Sequence, residues 1–91
     1  MRFDYDPSKS RKNLESHGID FADAQQLWDN PHVIVPARCM ADEDRYAILG
    51  KIRNSIYAAI FTERADAIRI ISCHRADKRW ERKFYEQLKK A

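Results

Sequence analysis

Arg64, Arg69, His74, Arg75, Arg79, Arg82 and Lys83 fall within twenty consecutive residues, interleaved with Trp80 and followed by Tyr85. These side-chain types suit one chemistry above others. Arg and Lys neutralise phosphates. Aromatic rings and guanidinium planes stack on unpaired bases. Cleavage of RNA by its own 2′-hydroxyl needs little beyond such a set. A base removes one proton, an acid protonates the leaving oxygen, and cations stabilise the charged transition state. Imidazole is the side chain that ordinarily titrates near neutrality, which singles out His74. Glu63, Tyr85 and a desolvated Lys are the other conceivable proton carriers. The catalytic candidates are therefore Glu63, Arg64, His74 and Tyr85, with Arg69, Arg75, Arg79, Arg82 and Lys83 as RNA-binding candidates.

Each residue also has a plainer reading. Trp80 repeats with Phe84 and Leu88 at four-residue spacing, a helical core stripe. Arg69 shares a strand face with Ile71 and Cys73 and could be a structural ion-pair partner. Glu63-Arg64 could simply finish a hairpin, and His74 could bond the start of a helix. A plain nucleic-acid- or protein-binding surface uses the same cations. No Gly-rich phosphate loop and no GxSxG nucleophile elbow is present. The three His and two Cys stand at no metal-ligand spacing. A metal set would have to be assembled across strands from Cys39, Cys73 and His74, and the expectation is no metal and no cofactor.

Composition bounds the rest. Ninety-one residues, 44% apolar and 34% charged, make a single globular domain over 1–91. Residues 1–45 carry six Lys/Arg against nine Asp/Glu, and residues 46–91 carry eleven against five. The halves are thus −3 and +6, summing to the net +3. A basic C-terminal half points to an anionic partner, nucleic acid first. Two distant cysteines suit reduced thiols better than a disulfide framework. With no membrane-length apolar run and no signal segment, a cytoplasmic address and no membrane partner are expected.

The elements that must position these residues can be read in order. Residues 2–6 alternate as a short strand with Phe3 and Tyr5 inward. Asp6-Pro7 starts a helix that stops at Gly18. Leu14 is its one large aliphatic residue, and Lys9, Asn13 and His17 line what reads as a solvated side. Asp20 caps a second helix, whose Phe21, Ala24, Leu27 and Trp28 face the core and which ends at Asn30-Pro31. His32 to Val35 is an edge strand closed by Pro36, and 37–44 is a polar loop. Strands follow over 45–52, with Gly50 at a close approach, over 56–62, buried on both faces, and over 67–73. They form an antiparallel meander with short turns. A final helix begins at Ala76 or Asp77, with Asp77 as its cap.

Taken together, the chain resembles the BrnT family of ribonuclease toxins of bacterial type II toxin–antitoxin modules. The carrying pieces are Phe3-Asp4-Tyr5-Asp6-Pro7; Lys9, Asn13 and His17-Gly18-Ile19 with Phe21 and Ala24; Glu43 and Arg45 with Ile48 and Gly50; Thr62-Glu63-Arg64; and Ile68-Arg69-Ile70-Ile71-Ser72. Their order and spacing are specific together. The chain departs from the family pattern at Cys73-His74, where Ala-Arg is usual, and Glu81 and Tyr85 fall one residue late. The resemblance implies an α+β, RelE-like fold with an N-terminal strand, two helices, an antiparallel sheet meander and a C-terminal helix. It also implies a metal-independent endoribonuclease that cleaves mRNA and arrests translation. Its implied partner is a BrnA-type antitoxin with a ribbon-helix-helix domain, through which alone promoter DNA is reached. The alternative is an inactivated toxin kept for promoter control, a non-catalytic binding module.

Overall fold

A computed structural model of the chain describes residues 1–38 and 43–90. The described elements are β1 (Arg2–Asp4), α1 (Pro7–His17), α2 (Phe21–Ala24), α3 (Gln26–Asp29), β2 (His32–Pro36), β3 (Tyr46–Ile52), β4 (Ser55–Arg64), β5 (Ala67–Arg75) and α4 (Lys78–Lys90). The class is α+β, with a five-stranded sheet in the order β1-β5-β4-β3-β2. The meander β3-β4-β5 is antiparallel as read from the sequence, and β2 is an edge strand. β1 lies parallel to β5 at the opposite edge, with Asp4 opposite Arg69.

The ends of the elements follow local chemistry. Asp6 accepts the Ser8 N–H at 2.8 Å, Pro7 needs no donor, and Gly18 closes α1 at φ 74°. Asp20 accepts the Asp23 N–H and Asp77 the Trp80 N–H, each within 3.0 Å. The stretch expected as one helix after Asp20 is two single-turn helices meeting at Gln25. Two residues, Arg53 and Asn54, both at positive φ, turn β3 into β4. At Gly50 a Cβ would stand 3.1 Å from the Pro31 carbonyl and 3.2 Å from Leu27, the close approach its position suggested.

The sheet carries helices on both faces. On one, Ile19, Phe21, Ala24 and Leu27 pack on Ile48, Ile52, Ala59, Phe61, Ile70 and Cys73. Edge-to-face aromatic pairs, Phe3–Trp28 at 5.0 Å and Trp28–Phe61 at 5.2 Å, tie β1 into this core. On the other face Phe84 of α4 packs with Val35, Ala47, Leu49, Ile56 and Ala58. α4 lies over the β2–β3 side, so the β4–β5 side of that face carries no comparable helix cover among the described residues.

α1 corrects the sequence reading. Leu14 does not anchor it: it is 48% exposed. The buried residues of α1 are polar, Ser10 and Asn13. Ser10 Oγ accepts the Phe21 N–H at 2.9 Å. Asn13 Nδ2 donates to the carbonyls of Cys73 (2.6 Å) and Ile19 (2.8 Å), and its Oδ1 accepts the Cys73 N–H at 3.2 Å. β1 ends opposite Arg69, so the outer edge of β5 beyond it has lost its strand partner. The Asn13 carboxamide takes that partner's place and satisfies both backbone groups of Cys73. The line Lys9–Asn13–His17 is thus not a plain solvated side.

A second correction concerns β5. Ile60 pairs with Ser72 but Phe61 with Ile70, leaving Ile71 as a bulge. The extra residue breaks the alternation, so Arg69 and Cys73 do not share a face. Cys73 turns into the helix-side core, where burial pushes its thiol up to about 12.

Replacing Asn13 by Ala should cost about 3 kcal/mol, because it strands buried backbone groups of Cys73 and Ile19. Leu14→Ala should stay within about 0.5 kcal/mol. Urea unfolding of the two variants measures both; equal effects would refute the clamp.

Candidate functional site

The basic residues singled out from the sequence do not form one patch. They separate into three places along the α4-side face and its edges, and the local ionic environment differs in each.

The first is a cleft of about 590 Å³ between α4 and the sheet. Arg79, Trp80 and Lys83 line it from α4, Ile60 from β4, and Arg38 and Arg45 from the segments flanking β2 and β3. The guanidinium of Arg79 lies 5.1 Å from the centre of the Trp80 ring. Arg45 leans on Glu43 at 3.5 Å. No carboxylate is among the described residues lining the cleft. Four cations from three segments around one half-buried indole make a concave, anion-attracting surface. Trp80, read as core, is half-buried and divides its surface between the core and this cleft.

The second place is the far end of the β4–β5 hairpin, where cations are matched by acids. Arg64 donates to Glu43 at 3.0 Å and Arg69 to Asp4 at 2.6 Å. The hydrogen bond from Arg69 holds the Asp4 carboxyl below its ordinary value of 3.8. The hydrogen bond from Arg64 does the same to Glu43, ordinarily 4.5. Thr62 Oγ1 donates to the Asp44 carbonyl at 2.7 Å and secures the chain before β3. Glu63 is exposed beside a recess that it shares with Glu43 and Asp44, an acidic setting.

The third place is the opposite end of β5. His74 stands opposite Ala58, whose side chain belongs to the α4-side core. Its Nδ1 lies 2.8 Å from the Arg75 carbonyl, and its ring centre lies 5.8 Å from that of His17. Arg75 donates to Ser55 Oγ at 3.0 Å and shares a recess with Glu81 and Tyr85.

The structure therefore brings Arg79 and Lys83 together, Arg64 and Arg69 near one acidic pair, and Arg75 with Tyr85. It does not bring together Glu63, Arg64, His74 and Tyr85. Ala58 and Arg64, the pairing positions of His74 and the hairpin tip, are six residues apart on β4, roughly 20 Å. Arg82 is exposed on α4. Three residues escaped the sequence reading of the site. Arg38 and Arg45 sit in the acidic half of the chain, where a half-by-half charge count hides them. His17 reaches its partner only through the packing of α1 on β5. Of the cross-strand metal set, Cys39 lies outside the described residues, and Cys73 is buried on the face opposite His74.

The family model described as the ribonuclease toxin, BrnT, of type II toxin–antitoxin systems matches residues 5–79. A search of curated proteins finds no match.

The two depressed carboxyls give a signed expectation. A carboxyl whose folded value lies below its unfolded one adds stability above the unfolded value and loses it as pH falls through the folded one. The ion pairs of Asp4 and Glu43 should thus stabilise the fold at pH 7 and fade below the ordinary values of 3.8 and 4.5. In urea titrations, Asp4→Asn/Glu43→Gln should be less stable than the parent at neutral pH, and the gap should shrink as pH falls below the ordinary carboxyl values. It should also narrow in high salt, since both pairs are solvent-accessible. A gap constant across this range would contradict the assignment.

Proposed function

The chain belongs to the BrnT family of ribonuclease toxins of type II toxin–antitoxin systems, and from that membership we propose that it is a metal-independent endoribonuclease that cleaves mRNA and arrests translation. Membership in a type II system also brings an antitoxin partner. We assign that partner as BrnA-type, with a ribbon-helix-helix domain that alone reaches promoter DNA. We further assign the arrangement of sheet and helices to the RelE-like fold, and the site of action to the cytoplasm. No helix among the described residues is long and apolar enough to cross a membrane.

The observation that carries the reading is the cleft under α4, where Arg38, Arg79 and Lys83, with Arg45 shared with Glu43, surround Trp80 and no acid is among the described lining residues. A single RNA strand offers what this surface lacks: a phosphate every nucleotide and bases free to stack. The cleft adjoins the less covered β4–β5 side of the sheet through Ile60. A strand leaving the cleft along that face passes toward His74. Arg75 and Arg82 extend the cationic track, whereas Arg64 and Arg69, already paired with Glu43 and Asp4, are weaker ligands. The charge in the cleft holds the phosphates of the bound strand. Of the proton carriers, Glu63 stands in an acidic recess and Tyr85 beside the β3–β4 turn. His74 is the candidate nearest the less covered face.

Induced in a bacterial host, the wild-type chain should arrest growth, and co-expression of its antitoxin should restore it. Arg79→Glu/Lys83→Glu should lift the arrest while leaving the soluble fold intact by circular dichroism. The same pair should flatten the salt dependence of single-stranded RNA binding by about 1.4 log units per log unit of salt, near 0.7 for each lost phosphate contact. Cleavage should persist in EDTA. Healthy growth with abundant soluble wild-type protein would instead favour the non-catalytic binding module.

A further inference from the structure

His17, the last residue of α1, and His74, near the end of β5, are separated by 57 positions in sequence, yet their rings stand 5.8 Å apart, tilted by 50°. The approach is imposed by the fold. Asn13, one helical turn before His17, is hydrogen-bonded through its side chain to both backbone groups of Cys73, the neighbour of His74. The clamp fixes the end of α1 against the end of β5. The bulge at Ile71 then turns His74 out of the helix-side core that takes Cys73.

The surroundings are cationic. His17 lines a recess of about 240 Å³ together with Lys9 and Lys12 from α1, and no carboxylate is among its described lining residues. From β5 the adjoining charge is Arg75. Of the acids nearest in sequence to His17, Glu15 of α1 is exposed and Asp20 is occupied in capping α2 through the Asp23 N–H. Two facing imidazoles, one of them lining a recess with two lysines, are placed to receive an anion. The carbonyl of Arg75 can only accept, so the Nδ1 of His74 that meets it at 2.8 Å carries the proton. The lone pair of the neutral ring is then on Nε2.

We propose that His17 and His74 form the proton-transfer pair for a phosphodiester of single-stranded RNA, an inference that rests on the ribonuclease reading above. His74 Nε2 takes the proton of the 2′-hydroxyl as its oxygen forms a bond to phosphorus. The bond from phosphorus to the 5′-oxygen breaks, and the imidazolium of His17 gives that oxygen its proton. The products are a 2′,3′-cyclic phosphate and a 5′-hydroxyl, with one proton gained by His74 and one lost by His17. Lys9 and Lys12 hold the non-bridging oxygens. The step needs no metal and no co-reactant.

The test uses the whole chain and RNA presented both free and on translating ribosomes. His17→Gln should slow cleavage by about 100-fold or more, the scale of general acid catalysis. An RNA with sulfur in place of the bridging 5′-oxygen has a leaving group that needs no proton, so it should restore most of that loss. It should not rescue His74→Gln, which loses the base. The wild-type rate should be bell-shaped in pH, and His17→Gln should lose the alkaline limb. An active wild type with His17→Gln equally active, or equally slow on both RNAs, would overturn the pair and leave the ribonuclease reading standing. No cleavage of either RNA by the wild type would overturn both.

Discussion

A single carboxamide sets much of the geometry of this chain. β1 is only three residues long, so β5 runs past it with an unpaired edge. A buried, unpaired backbone amide and carbonyl would cost a few kcal/mol together. Asn13 supplies both missing bonds and a third to Ile19. One side chain thereby closes a sheet edge and ties a helix to it. α1 can then be almost devoid of apolar packing and still be fixed in orientation, with Ser10 holding the start of α2 from the same buried side. Hydrogen bonds are more directional than apolar contacts, so the position of the last turn is set more sharply than a lone leucine could set it.

The cations of the chain are sorted by their acids rather than by their number. At the hairpin end of the sheet, Asp4 and Glu43 come from the acidic N-terminal half and meet Arg69 and Arg64 from the basic half. That cross-chain pairing serves the fold: it links β1 to β5 and the segment before β3 to β4. Under α4 the described lining residues include no such acid, although Arg45 is shared between the cleft and Glu43. Binding strength toward a polyanion depends on cations whose charge is not already cancelled. The net +3 of the chain therefore understates the field in the cleft and overstates it at the hairpin tip.

Local features were legible in the sequence because local chemistry determines them. Asp6, Gly18, Asp20 and Asp77 mark helix ends through bonds to residues two to four positions away, and Pro7 by needing none. The meander followed from short turns between alternating apolar runs, and Gly50 from the absence of room for a Cβ. What was not legible depends on distant pairings. A polar residue mid-helix, such as Asn13, reads as solvated unless its partner sixty residues away is known. Arg38 reads as a loop charge and Arg45 as a strand's polar residue until β2 and β3 bring them under α4. Glu63, Arg64, His74 and Tyr85 were grouped by closeness in sequence, and an extended hairpin pulls such neighbours apart.

The bulge at Ile71 shows how narrow the margin is. In a regular strand, Arg69 would share its face with Ile71, Cys73 and Arg75, and His74 would point with Ile70 toward the helix-side core. That arrangement would aim an imidazole into a layer of Phe21, Leu27 and Phe61 and present a thiol on the working face. One extra residue reverses the parity. Cys73 enters the core, where its volume and raised thiol suit an apolar layer, and His74 is released to the face opposite, in reach of His17. Alternation read from sequence fails here because it counts residues, whereas the ladder counts hydrogen-bonded pairs. The departure at Cys73-His74 thus lies just past the bulge that assigns each of the two residues its side of the sheet, so the chemistry available there is decided by register as much as by residue type.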